Sequence, residues 1–281
     1  MRFLFLLVLI INLFLLNSCK KYVPAEAAFF IKPSLVSVTT NTTQGSGSHK
    51  ITDLWLYVDG KFQGAYPTGN LLPIITKNEK VKISILAGIK NNGISGTRLS
   101  WVFYDIFKLD TLVENGKTIE IPIKYKYNSF TTFAWLENFD GTGFSLIKST
   151  VNNSDTTWKF ASPADSFEGK SAEVGLTGNA LIAQVESAIT YTLPQASSNV
   201  YLEINYKSNQ KFEVGVLAGN ETKGALIINP TDTWNKIYIQ LANAVNMAPT
   251  ASAHKIYFRM YKTSDNANPK MFLDNIKLVY L

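Results

Sequence analysis

From Ile51 the chain alternates apolar and polar residues with a period of two. Leu54, Leu56 and Val58 point one way while Trp55, Tyr57 and Asp59 point the other, the pattern of a half-buried strand. Asp59-Gly60 then supplies a tight turn into Lys61-Phe62-Gln63-Gly64, which predicts a hairpin. Val81, Ile83 and Ile85 form the next alternating strand, ended by Gly88, and Asn91-Asn92-Gly93 marks a further turn. Asn115-Gly116 leads into Ile119, Ile121 and Ile123, with Pro122 inside the pattern. A proline cannot donate to a ladder, so this strand is expected at a sheet edge. Upstream, Phe29-Phe30-Ile31 reads as a first strand that passes Pro33 and resumes at Leu35. Residues 39–49, TTNTTQGSGSH, are polar and rich in Gly and Ser, the composition of a flexible loop.

The second half repeats the style at shorter spacing. Strands are expected at 173–174, 181–185, 201–206, 212–217, 225–228, 236–241, 255–261 and 271–280, separated by Gly, Asn and Pro clusters. Many short strands so spaced predict a sandwich. No long stretch carries a helical apolar stripe, so the class is all-β. The stretch YNSFTT at 127–132 reads as a linker between an N-terminal β-sandwich over 28–126 and a second one over 133–281. Each unit is large enough to bury its own core.

The first residues have another pattern. After Arg2 the run from Phe3 to Leu16 is apolar except for Asn12, too short to span a bilayer as a helix and typical of an export signal. It ends in Leu16-Asn17-Ser18-Cys19, which resembles a bacterial lipobox, with Asn17 a departure from the usual small or β-branched residue. The lipobox implies a signal peptide over 1–18, lipid on Cys19, and a tether over 19–27. Cys19 is the only cysteine, so no internal disulfide forms and stability must come from burial. Loss of Arg2 with the signal lowers the formal charge from +6 to +5. The lysines are scattered, which argues against a nucleic-acid partner.

The run LYVDGKFQG at 56–64, followed by the strand at 81–88, resembles PEGA-type and related immunoglobulin-like sandwiches. ENFDG at 137–141, FEGKSAEV at 167–174, TWNKIYIQL at 233–241 and FLDNIKLVYL at 272–281 occur in that order. They resemble the galactose-binding-like jelly roll of carbohydrate-binding modules. Signal, small sandwich and jelly roll together are similar to lipoproteins of Bacteroidetes-type bacteria. In such proteins, acids after the lipidated cysteine accompany surface export. Lys20-Lys21 stand there in this chain, which leads us to expect an outer-membrane protein that faces the periplasm.

The jelly-roll resemblance also implies sites. A structural calcium would draw on Asp140 and Asp274, with Glu137 as a helper, since oxygen ligands suit a hard cation. The competing reading makes Asp140 a turn residue and has Asp274 bond backbone amides. Asp274 is expected on the strand face of Phe272, Ile276 and Leu278. Candidate glycan contacts are Trp158, placed in a polar loop, and Tyr257, Arg259 and Tyr261 on one face of a strand; packing is the competing role for these aromatics. Catalysis is not expected: His49 and His254 fall in different units, and no GxSxG, HExxH, P-loop or CxxC pattern is present. The function expected first is a non-catalytic scaffold, an accessory subunit of an outer-membrane transport or secretion assembly. The alternative is glycan capture through the jelly roll.

Overall fold

The computed structural model describes residues 28–152, 154–176 and 179–281, so Cys19 lies outside the described residues. The first sandwich is built from β1 (Phe29–Thr39), β2 (Asp53–Val58), β3 (Lys61–Pro67), β4 (Leu72–Ile74), β5 (Lys80–Lys90), β6 (Arg98–Ser100), β7 (Phe107–Leu112) and β8 (Thr118–Lys126). One sheet has the order β4-β1-β8, with β1 and β8 parallel. The other runs β3-β2-β5, and both β6 and β7 pair with the far side of β5. Leu54, Leu56, Val58, Val81, Ile83 and Ile85 are all buried, as the alternation requires. Asp59 and Gly60 have φ of 49° and 78°, the left-handed pair that a two-residue hairpin turn needs. The Asp59 carboxylate then accepts from Lys82 N and Asn78 Nδ2, both at 2.9 Å, tying the hairpin tip to β5. Strand β1 passes Pro33 through a register shift, and β8, which carries Pro122, lies at a sheet edge.

The second sandwich follows with β9 (Thr132–Glu137), β10 (Leu146–Lys148), β11 (Thr156–Phe160), β12 (Ala172–Leu176), β13 (Ile182–Ser187), β14 (Val200–Ser208), β15 (Phe212–Ala218), β16 (Glu221–Ile228), β17 (Thr231–Gln240), a short helix α1 (Ala242–Asn246), β18 (Lys255–Tyr261) and β19 (Lys270–Tyr280). Its sheets are β10-β13-β18-β15-β16 and β11-β12-β19-β14-β17, with β9 also paired to β19. Successive strands cross between these sheets, the habit of a jelly roll. Val174, Val185, Ile204, Val214, Phe258 and Leu273 meet in the core between them. Asn275 has φ of 46° and sits at a register shift in β19. That bulge resets the alternation: Leu273 and Ile276 both enter the core. Asp274 therefore faces outward from the sandwich and does not share the face of Ile276 and Leu278, contrary to the sequence expectation.

The two units are welded along the outer face of the β14–β19 sheet. Tyr201, Tyr238 and Val279 leave the second sandwich and join the hydrophobic core of the first. Trp101 packs its ring 4.9 Å from that of Tyr201 and 4.7 Å from that of Tyr238. The turn at Asn92 docks on the edge strand β17, its N–H donating to Tyr238 O and its Oδ1 accepting from Gln240 N, each at 2.9 Å. Backbone groups that an edge strand would leave open are thus partly satisfied by the first sandwich. Beside the rings lies a buried ionic cluster. Lys236 Nζ is 3.0 Å from Glu203 Oε2, and Tyr127 OH donates to Glu203 Oε1 at 2.7 Å. Lys277 Nζ donates to Ser46 O and lies 3.3 Å from Tyr127 OH.

Residues 39–49, expected to be a flexible loop, form with Lys50 the seal of this junction. Ser46 Oγ donates to Glu168 Oε2 at 2.6 Å, Ser48 Oγ donates to Asn205 Oδ1 at 3.0 Å, and Lys50 N donates to Tyr238 OH at 2.9 Å. A side chain at Gly47 would meet Val38 O at 2.6 Å, so the close return of the loop on β1 needs glycine there. The loop's polar residues are half-buried over 44–49, where they bond polar groups of the second sandwich, while Asn41 to Thr43 stay exposed.

Removing the charge at Glu203 leaves two buried lysines without their nearest counter-ion. Glu203→Gln is expected to lower the unfolding free energy by about 3–5 kcal/mol. Urea denaturation of the two chains checks it, and a loss below about 1 kcal/mol, the range of an exposed pair, contradicts it.

Candidate functional site

With one sheet of the second sandwich covered by the first, the outward face of β10-β13-β18-β15-β16 is free of the first sandwich, although Ser149, Asn152 and Ser154 bury Gln184 on it. On β18, Ile256, Phe258 and Met260 enter the core, so period two turns Tyr257, Arg259 and Tyr261 outward. Three of the four predicted ligand residues are thus brought together. Arg259 Nε and Nη2 donate to Glu213 Oε2 of β15 at 3.1 and 2.5 Å. The guanidinium lies 5.2 Å from the Tyr257 ring and 5.4 Å from the Tyr261 ring, within cation–π range of both. Tyr257 OH donates to Glu213 Oε1 at 3.0 Å. Burial, with Glu213 beside it, raises the Tyr257 hydroxyl well above its ordinary value, so it stays a neutral donor. Its ring is fully buried against Gly215, where an added Cβ would come within 2.8 Å of it. Tyr257 is therefore a support for Arg259 and Glu213, whereas Tyr261 is 46% exposed.

Next to Tyr261 the sandwich end opens into a groove of about 610 Å³ lined by Asn209, Gln210, Lys211, Thr263, Asp265 and Asn266, with Pro230. The register that pairs Phe212 with Met260 places Lys211 alongside Tyr261. Asn266 Nδ2 donates to Gln210 Oε1 at 3.1 Å, and Asn209 Oδ1 accepts from Lys270 N at 2.7 Å. These bonds fix the amides and leave the groove with donors and acceptors of both kinds. A hydrogen bond from Thr263 and one from its own backbone hold the Asp265 carboxyl below its ordinary value, so it is ionised at neutral pH. Sequence reasoning passed over this groove, because Asn, Gln and Thr at strand ends read as plain turn residues.

Trp158 is not part of this face. It lies on β11 in the opposite sheet, its ring 4.1 Å from Phe144 in edge contact, and it packs against the core. The sequence had placed it in a loop; pairing of β11 with β12 makes it a strand residue with a packing role. Among the described residues no group of three or more His, Cys, Asp or Glu is placed to hold a metal ion. Of the carboxylates implied for calcium, Asp140 and Asp274 meet on a protein segment, whereas Glu137 turns to Phe139 and Ser145. Asp140 Oδ1 accepts from Lys170 N at 3.0 Å, and Asp274 Oδ2 accepts from Glu168 N at 3.1 Å and Ser171 Oγ at 2.7 Å. Asp140 Oδ2 and Asp274 Oδ1 take Asn138 Nδ2 and Asn275 N. Glu137 accepts from Phe139 N at 2.8 Å and Ser145 N at 2.7 Å. All six oxygens face N–H or O–H donors: Asp140 and Asp274 each give one oxygen to the 167–171 loop, and the other four hold Asn138, Phe139, Ser145 and Asn275, a set already occupied by protein donors.

The histidines are apart. His49 sits in the junction, kept neutral by burial and by Lys236. His254 is buried, exchanges backbone bonds with Tyr191, and is likewise neutral through burial. Neither makes a base–nucleophile pair with the other.

Asp274 gives a pH signature. Burial pushes its carboxyl up to about 6, restrained by its hydrogen-bond donors, first among them Ser171. A raised acid binds its proton more readily folded than unfolded, so its contribution is full below about pH 4 and is lost as pH rises through 6. Between those limits Asp274 should remove on the order of 3 kcal/mol of stability. Denaturation at pH 4 and 7 is expected to show a smaller pH-dependent decline in Asp274→Asn than in the parent chain. Equal declines would contradict the assignment.

No family model matches the chain, and no curated protein matches it. Solved structures similar to it are carbohydrate-binding modules with a β-sandwich fold. A family 11 module from Clostridium thermocellum, in complex with a β-1,3-1,4-mixed-linked tetrasaccharide, is 17% identical. The match covers 53% of this chain and 94% of that one, with a TM-score of 0.37. A structure titled for the promiscuous specificity of modules from the β-sandwich superfamily is 13% identical, over 92% of this chain and 99% of the other, with a TM-score of 0.40. A family 29 module complexed with mannohexaose is 10% identical, over 53% and 92%, with a TM-score of 0.36.

Proposed function

We propose that this chain is a lipid-anchored, non-catalytic glycan-binding protein, and that the second sandwich takes a neutral saccharide in the groove beside Tyr261. The observation that carries this is the groove itself: fixed amides, one ammonium and one carboxylate line an open volume, and strand register sets its Lys211 opposite the half-exposed Tyr261. A sugar ring offers hydroxyls that donate and accept and a C–H face that packs on an aromatic ring. Lys211 and Asp265 balance each other, which suits an uncharged ligand. The Arg259–Glu213 pair and buried Tyr257 stiffen the strand that presents Tyr261, so little ordering remains to be done on binding. The lipid on Cys19 would hold this face at the outer membrane, towards the periplasm.

An accessory-subunit role draws on a different surface. Val102, Ile106 and Phe130, the last 81% exposed, border a groove of about 350 Å³ over Trp101 and Tyr104 on the first sandwich. Exposed apolar residues gathered in this way suit a protein contact.

A glycan array probed with the full chain separates the two. Retention of a neutral oligosaccharide, weakened about tenfold by Tyr261→Ala, is the expected result. An array without a retained glycan, or equal retention by Tyr261→Ala, would overturn the glycan reading. In the same cells Cys19→Ala is expected to move the chain from the membrane to the soluble fraction, and an unchanged distribution would overturn the anchor.

A further inference from the structure

We propose that the cleft between the two sandwiches is a second binding site, for a hydroxylated carboxylate the size of one hexuronic acid. The cleft encloses about 190 Å³. The first sandwich contributes Lys50, Lys90 and Asn92 to its walls, and the second contributes Asn229, Asn235 and Lys236. No acid lines it. Among the described residues no ion pair engages Lys50 or Lys90. Lys50 is held in place by a hydrogen bond from its Nζ to Asn235 Oδ1. Lys236 has a side chain only 3% exposed, and its ammonium meets one carboxylate oxygen, of Glu203. An ammonium carries three donors, so Lys236 has capacity to spare. Partial burial, and then the charge of Lys90, lowers the Lys50 ammonium from its ordinary value, as two cations facing one cleft must do.

Two ammoniums free of ion pairs, Lys50 and Lys90, with that of Lys236 paired to Glu203 and no acid in the lining, define an anion site. Lysines act as point charges that accept a carboxylate or a phosphate alike, so the rest of the lining decides between them. The other walls are mainly polar, with the amides of Asn92, Asn229 and Asn235 and the hydroxyls of Thr52, Tyr206 and Tyr238, and with a smaller apolar strip from Leu226, Ile228 and Ile237. A bare inorganic ion would leave those amides and hydroxyls to water, whereas a sugar acid turns its hydroxyls to them and lays a C–H edge on the apolar strip. The cleft exists only because the two sandwiches are fixed to each other, and it shares no lining residue with the groove at 209–211, although Asn229 of one adjoins Pro230 of the other, so the inference does not rest on the glycan reading.

The test is calorimetric titration of D-glucuronate, D-glucose and inorganic phosphate into the full lipidated chain in mild detergent. Saturable glucuronate binding is expected, about tenfold tighter than either comparison ligand and weaker at high salt. Lys90→Gln should weaken glucuronate about tenfold while keeping the parent thermal midpoint, because Lys90 holds no ion pair that folding uses. Tyr261→Ala should leave glucuronate unaffected. An absence of saturation, equal affinity in Lys90→Gln, or phosphate binding as tightly as glucuronate would overturn the proposal. Loss of glucuronate binding in Tyr261→Ala would place the sugar acid in the groove and overturn the cleft.

Discussion

Glu203 is the charge on which the joining of the two sandwiches depends. It projects from the outer face of a central strand, a place where a jelly roll on its own would meet water. Here it is fully buried, with Lys236 on one oxygen and Tyr127 of the first sandwich on the other. Withdrawing three ions from water costs several kcal/mol for each one, and their mutual attraction returns that only when the geometry is closed on every side. The closing elements are the polar loop, whose Ser46 carbonyl takes the Lys277 ammonium, and the rings of Trp101, Phe103, Tyr201 and Tyr238, which exclude solvent. The rings supply the gain, since aromatic burial and edge contacts are favourable without a desolvation penalty. The ions define which of many greasy docking poses is the right one.

Two consequences follow for ligand binding. One sheet of the jelly roll is spent on the junction, so its Tyr201 and Tyr238 are structural, and the opposite sheet is left to present Tyr261. The junction also brings Lys50 and Lys90 against the open flank between β16 and β17, making a cationic cleft that neither sandwich contains alone. A neutral groove at one place and a positive cleft at another give a single chain two chemically distinct surfaces.

The strands were legible in the sequence because period two is a local property: the hairpin at Asp59-Gly60, the bulged first strand at Pro33 and the edge strand at Pro122 all follow from neighbours. The outward trio Tyr257, Arg259 and Tyr261 was legible for the same reason. What neighbours cannot report is what an outward residue meets. The Gly- and Ser-rich run at 39–49 reads as solvated until Glu168, Asn205 and Tyr238, all more than a hundred residues away, are seen to receive it and Lys50. Asn275 carries no signal that it will take a left-handed φ and turn Asp274 out of the core face. Trp158 was misplaced because Asn and Ser on one side hid a strand that pairs with the segment after the FEGKS loop. Glu213, the partner that turns Arg259 from a free ligand group into part of a brace, comes from another strand altogether.

If Glu203 and its surroundings make the two sandwiches one unit, they must melt as one. Differential scanning calorimetry of the full chain tests this directly. A single transition, with a calorimetric-to-van't Hoff enthalpy ratio of about 1, is the predicted result. Two resolved transitions, each with the enthalpy of one sandwich, would show that the junction does not couple them and would contradict the account.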